Sequence, residues 1–275
     1  MFIDKKNAVV GVAVNFNLSN IRNFVLSFRE VNKIDECILL IDTEHIDEMT
    51  EFLKDNNVTA LRYEFHQFAN MRPHNSRYIA YLELLSNRVD LKNIFLADTK
   101  DIIFQMNPFE NLPEEFIYFF EEDAGIKLVD DQSCNSYWLD VGYGREITQT
   151  IWHNNIICSG TILGSHGEII KFLNIMKQQM LEIRQRNPNG FRDVILDQAI
   201  VNYLVRTDAS SSLKKEIKRN GDIVATLGIS MCETRALDKV TMKQYELMVN
   251  HFYPAILHQY DRYPMFLQMF NTKFK

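Results

Sequence analysis

Cysteine is scarce in this sequence, and Cys37, Cys134, Cys158 and Cys232 form neither a CxxC pair nor any metal-type spacing. A zinc-ribbon centre and a disulfide framework are thereby excluded, and reduced thiols are expected. Cys37 and Cys158 fall in apolar, strand-like runs, where a free cysteine belongs to the core. Dense basic tracts are missing as well. The nearest approach is Lys214-Lys215-Glu216-Ile217-Lys218-Arg219, in a chain of net charge -6 and pI near 5.7. Nucleic acid is not the expected partner. No uninterrupted apolar stretch approaches the roughly 20 residues of a membrane helix. The first residues lead into only a short apolar strand, with no secretion signal. The chain therefore reads as soluble and cytoplasmic, with no transmembrane segment. Without such a signal, Asn17-Leu18-Ser19 and Asn57-Val58-Thr59 are expected to be chance matches to the glycosylation sequon.

What is present is ample apolar material, 46% of 275 residues, enough for the core of one large domain spanning 1–275. Continuous apolar runs at 8–14, 36–42, 58–65 and 93–97 have strand length, and helical spacing at 18–31, 47–55 and 76–86 separates them. This alternation predicts an α/β fold, with a mostly parallel sheet covered by helices on both faces. Past residue 104 the pattern is mixed. Strands are expected at 116–120 and 155–165, and long helices at 167–186 and 193–205. The stretch 123–153 is poorly patterned, and the polar segment 207–221 precedes the last strand candidates, at 223–227 and 255–258. The aromatic tail, Tyr260, Tyr263, Phe266, Phe270 and Phe274, is expected mainly in the core.

The chemistry concentrates in Leu96-Ala97-Asp98-Thr99-Lys100-Asp101-Ile102-Ile103-Phe104-Gln105. A buried-looking strand ends there in two carboxylates, at the end of an α/β sheet where ligands bind, and such acids suit a divalent cation. Three residues apart, Asp98 and Asp101 would point to opposite faces of a continuing strand, so a turn is needed for both to reach one ion. The apolar run after them suggests that the chain bends and re-enters the sheet at once. His258 ends an apolar stub far along the chain, where an imidazole could supply a third ligand. Arg262, just after it, could hold a phosphate by a bidentate contact. Ser159-Gly160-Thr161 keeps side chains small where a ligand could press on the backbone, and Asp197-Gln198 opens an apolar-faced helix. Each of these has a plainer reading too: backbone caps, a packing histidine, a tight strand contact, a helix-dipole acid.

As an ordered set, these segments resemble a nucleotide-sugar-dependent glycosyltransferase of the GT-A fold class, of the DxD type and glycogenin-like. The resemblance rests on 96–105 with Asn107-Pro108-Phe109, on Ile157-Cys158-Ser159-Gly160-Thr161-Ile162-Leu163-Gly164, on Asp197-Gln198-Ala199-Ile200-Val201-Asn202, and on His258-Gln259-Tyr260-Asp261-Arg262. It implies a Rossmann-like domain whose first half, 1–105, binds the nucleotide and whose second half, 106–275, binds sugar and acceptor. Such an enzyme moves a sugar from a nucleotide diphosphate, UDP by default, to a glycan hydroxyl, with Mn or Mg at the diphosphate, as in polysaccharide biosynthesis. By this resemblance Asp98, Asp101 and His258 are the metal ligands. Val14, Asn15, Phe16 and Asp42 lie near base and ribose. Arg72, Arg77 and Arg262 are diphosphate or donor-sugar contacts, and Asp197 and Gln198 face the transferred sugar and acceptor. Position 100 is Lys, so the motif departs from a strict D-x-D.

An inverting enzyme would need a carboxylate base, for which Asp197, Glu121, Glu122 and Asp123 are available. The resemblance of the Asp-Gln pair to glycogenin-like transferases implies retention instead, in which the leaving phosphate oxygen could take the proton. Two alternatives stand beside transfer. A sugar-1-phosphate nucleotidyltransferase would open with a Gly-rich phosphate loop and a Lys, where this chain has Asn15-Phe16-Asn17-Leu18-Ser19-Asn20. A non-catalytic nucleotide-binding or scaffold protein would need no metal chemistry.

Overall fold

A computed structural model of the chain describes residues 5–65, 71–113, 115–123, 125–187, 194–228 and 240–275. Four parallel strands, β1 (Lys6–Val14), β2 (Glu36–Asp42), β3 (Thr59–Arg62) and β4 (Leu91–Ala97), make one half of the main sheet. Beyond them come β6 (Ile117–Glu121), β7 (Ile157–Ser165) and β8 (Lys215–Lys218), in the order β3-β2-β1-β4-β7-β6-β8. β7 runs antiparallel to both β4 and β6, and β6 pairs in parallel with β8. The sheet is therefore mixed and mostly parallel, as the alternation predicts.

Burial on both faces explains why the central strands read as unbroken apolar runs. Val10, Ile38, Leu40, Ile94 and Leu96 point to one face, while Val9, Cys37, Leu39, Phe95 and Ala97 point to the other. The first face packs on α3 (Pro73–Leu85), α6 (His166–Arg186) and α7 (Leu196–Arg206), and the second on α1 (Leu18–Val31) and α2 (Ile46–Asp55). Asn17 is the N-cap of α1. Its side chain accepts the Ser19 N–H at 3.0 Å, and Asn20 accepts the Asn17 N–H at 2.9 Å, so this sequon match serves as a capping box. Cys37 and Cys158 are buried free thiols, as expected, and Cys232 lies outside the described residues.

The run after Asp101 does not re-enter the main sheet. It forms β5 (Ile102–Phe104), which pairs antiparallel with β12 (Ile256–His258), and β12 pairs in parallel with β9 (Val224–Thr226) in a separate three-stranded sheet. The bend at Asp98–Asp101 is sharp enough to direct the chain into this second layer. A hairpin, β10 (Val240–Lys243) and β11 (Glu246–Val249), and the helix α8 (Pro264–Lys273) complete this end. Tyr260, Tyr263, Phe266, Phe270 and Phe274 pack with Ile103 and Leu257 into a third apolar cluster.

The poorly patterned stretch contains two helices, α4 (Asn135–Tyr143) and α5 (Arg145–Ile151). The inward face of α4 is Asn135, Ser136, Leu139 and Gly142, too small and polar to leave an apolar stripe. β8 likewise falls in the polar segment, because an edge strand exposes the side chains that would mark it. The 58–65 run is shorter as a strand, and α7 begins at Leu196. Among the described residues no helix is long and apolar enough to cross a membrane.

Candidate active site

The turn that separates β4 from β5 is tied down at three points. The Asp98 N–H donates to Gly160 O on β7 at 2.8 Å, and the Thr99 hydroxyl donates to Val12 O on β1 at 2.6 Å. The Gln259 N–H closes the far side on Asp101 O at 2.8 Å. Held this way, both acids leave the strand geometry that would have parted them and face a common point.

His258 arrives at that point through pairing with β5, opposite Ile102, the neighbour of Asp101. Its Nε2 lies 3.5 Å from Asp98 Oδ2 and 3.7 Å from Asp101 Oδ1. Nδ1 contacts Thr226 Oγ1 at 3.3 Å and Cys158 Sγ at 3.4 Å, while Nε2 is buried without a hydrogen-bond partner among the described residues. One ligand atom from each of Asp98, Asp101 and His258 lies within 4.8 Å of the others. Two carboxylates and an imidazole are a donor set suited to a divalent cation, and Nε2, which no hydrogen bond holds among the described residues, is the ring nitrogen turned toward the two acids.

The local field favours positive charge here. Burial opposes ionisation of Asp98, but Arg77 and His258 outweigh it and hold the carboxyl well below its usual range. Asp101 is pushed up to about 6, by burial first and by the Asp98 and Asp261 charges, with His258 acting against them. Burial disfavours a charged His258, yet Cys158, Asp101 and Asp98 together raise it.

Arg77, on α3, joins this centre to the start of α7. It is buried, pairs with Asp98, and donates to Asp197 Oδ2 at 2.7 Å. Asp197 is fully buried at the start of α7, and its other oxygen has no partner among the described residues. Gln198 is held from both ends: Oε1 accepts the Ser159 N–H at 2.7 Å, and Nε2 donates to Glu122 Oε1 at 3.0 Å. Burial raises Glu122 to about 7, with His258 and the Gln198 hydrogen bond opposing and Asp131 adding to the rise.

These groups line one cavity of about 1190 Å³ at the carboxyl ends of β1 and β4, room for a ligand of nucleotide-sugar size. The chain is similar to the solved galactosyltransferase LgtC in complex with donor and acceptor sugar analogues, at TM-score 0.52 and 13% identity over 91% of this chain and 86% of that one. It is also similar to an active-site mutant of LgtC, at TM-score 0.55 and 12% identity with the same coverage. The chain has a GT-A fold. No protein-family model and no curated protein matches the sequence.

Within this GT-A fold, Val14, Asn15, Phe16, Arg77, Asp98, Asp101, Asp197, Gln198, His258 and Arg262 all reach the cavity. Asn15 takes a left-handed backbone, φ 56°, and its N–H binds Asp42 O at 2.8 Å. Two expected contacts are not brought in. The Asp42 carboxylate takes the Phe65 N–H at 2.8 Å, and Arg72 stands at the N-cap of α3, outside the cavity wall. Of the candidate bases, Asp197 and Glu122 line the cavity. Glu121 pairs with Arg206 at 2.7 Å, and Glu121 and Asp123 border a separate, smaller cavity.

Sequence reading missed Asp131, Asn135 and Trp138, which line the same cavity from α4 and the turn before it. One signal was available, since Trp138 is one of two tryptophans and sits in the stretch that carried no pattern.

Proposed function

We propose that this protein is a metal-dependent glycosyltransferase that moves a sugar from a nucleotide diphosphate, UDP by preference, to a hydroxyl of a glycan acceptor. The observation that carries the reading is the convergence of Asp98, Asp101 and the unmet Nε2 of His258 on the wall of the large cavity. Likeness to LgtC, a galactosyltransferase, supports the same reading. A hard divalent cation held by these three residues would offset the charge that develops on the leaving diphosphate.

The chain's own residues then have distinct tasks. Val14, Asn15 and Phe16 receive base and ribose, and Arg262, whose side chain is exposed at the cavity rim, meets the phosphates. Arg77 keeps Asp98 and Asp197 in fixed relation, so that the diphosphate end and the sugar end of the donor are positioned together. Asp197 and Gln198 face the transferred sugar. The likeness of the Asp197-Gln198 pair to glycogenin-like transferases supports a retaining reaction, in which the acceptor proton passes to the leaving phosphate oxygen, while Glu122, which also lines the cavity, is the base that an inverting reaction would use.

A thermal-shift panel of nucleotide sugars, each with and without Mn or Mg, tests the proposal. One donor should stabilise the protein in a metal-dependent way, and Asp98→Ala should lose both that stabilisation and turnover. Full turnover in Asp98→Ala, or no donor effect with either metal, would overturn the reading.

A further inference from the structure

The cavity wall also includes Asp131, Asn135 and Trp138, to which the proposed donor contacts give no role. Asn135 and Trp138 stand on α4, which packs on α7, the helix that carries Asp197 and Gln198. Asn135 is only 5% exposed there. Its Nδ2 donates to Asp131 Oδ2 at 2.6 Å, and its backbone N–H reaches the same oxygen at 3.2 Å. Asp131 Oδ2 accepts both of these bonds, so the amide nitrogen faces Asp131 and the amide oxygen faces elsewhere. That oxygen, Asn135 Oδ1, is buried with no partner among the described residues. A buried acceptor without a donor is costly, and the deficit is met by any hydroxyl that enters beside it.

Trp138 stands three residues further on, on the same side of α4 as Asn135, and also lines the cavity. Part of it packs against the core. An aromatic plane beside a single hydrogen-bond acceptor suits a pyranose ring, whose C–H face is apolar and whose rim carries hydroxyls.

We propose that Asn135 and Trp138 form the acceptor subsite, in which a pyranose stacks on the Trp138 indole and donates one hydroxyl to Asn135 Oδ1. This rests on the transferase reading above and names the chemistry of its second substrate. The subsite's helix packs on the one that carries Asp197 and Gln198, where the sugar end of the donor is expected.

The two tryptophans make a direct test possible. Trp152 stands outside the cavity wall, against Arg145 and His153, so in Trp152→Phe the emission comes from Trp138 alone. With UDP and Mn present, titration with lactose, maltose, cellobiose and methyl hexopyranosides should give a saturable change for at least one sugar. Adding Asn135→Ala should weaken that sugar about tenfold or more, the size of one lost hydrogen bond in a closed site. Emission unaltered by every sugar, or binding indifferent to Asn135→Ala, would overturn the subsite. Stabilisation of the Trp152→Phe protein by UDP and Mn is read separately. It persists if the subsite alone is wrong, and it vanishes if the donor reading is wrong.

Discussion

Gly160 faces Asp98 across a gap that admits no side chain. A β-carbon on Gly160 would overlap Asp98 Oδ2 and come within 2.8 Å of its Cγ and 3.1 Å of His258 Nε2. Gly160→Ala should therefore displace the carboxylate and weaken Mn binding about 10- to 100-fold, the usual penalty for disturbing the support of a metal ligand. Titration calorimetry with Mn checks this, and an unchanged affinity would contradict the placement.

Arg77 is the next point of leverage. It is the positive charge between Asp98 and Asp197, and the Arg77–Asp197 pair is almost wholly buried. Arg77→Ala leaves a carboxylate buried without its partner, which should lower stability by about 3–5 kcal/mol. Arg77→Lys should recover little, because one ammonium cannot serve two carboxylates in the fork geometry of a guanidinium. Urea unfolding measures both, and a loss under about 1 kcal/mol would show the pair to be dispensable.

Glu122 gives a prediction in pH. Burial raises its carboxyl from 4.5 to about 7. Between these values the native protein holds a proton that the unfolded chain has released, so this group lowers stability as pH climbs through the window. Glu122→Gln has no such proton to lose. The melting temperature of the variant relative to the parent should rise from about pH 4.5 to about pH 7 and then level off. A difference that stays flat, or falls, would remove the assignment.

Stereochemistry supplies the fourth. If the leaving phosphate takes the acceptor proton, an α-linked donor gives an α-linked product, and Glu122→Gln still turns over. Proton NMR of the product reports the anomer. A β-linked product, together with inactive Glu122→Gln, would make Glu122 the base of an inverting enzyme.

Much of the sheet is legible in the sequence because its central strands are buried on both faces, which turns Val9 to Ala13 and Cys37 to Ile41 into apolar runs with only Val12 less than fully enclosed. Elements whose inward faces are small or polar, such as α4, escape the same test. The destination of β5 is also invisible, since Ile102-Ile103-Phe104 reads alike in either sheet. Periodicity states how a segment is buried and not which layer buries it.

The site divides along similar lines. Asp98 and Asp101 stand out because acids end an apolar strand, but their convergence depends on hydrogen bonds from Thr99 to Val12, from Asp98 to Gly160 and from Gln259 to Asp101. None of these long-range ties leaves a local mark. Asp42 and Arg72 followed their places at the end of a strand and the start of a helix, yet the Asp42 carboxylate is taken by the Phe65 N–H and Arg72 does not line the cavity.

Because His258 reaches the two aspartates only through the three-residue pairing of β12 with β5, capture of a cation at the proposed site would depend on closure of the second sheet. Until that short ladder closes, the two aspartates lack their imidazole, so an ion can be gripped fully only by a chain whose second sheet and aromatic end cluster are already in place. Occupancy would in turn clamp those segments, making the ion a seal on the finished architecture as well as a participant in its chemistry.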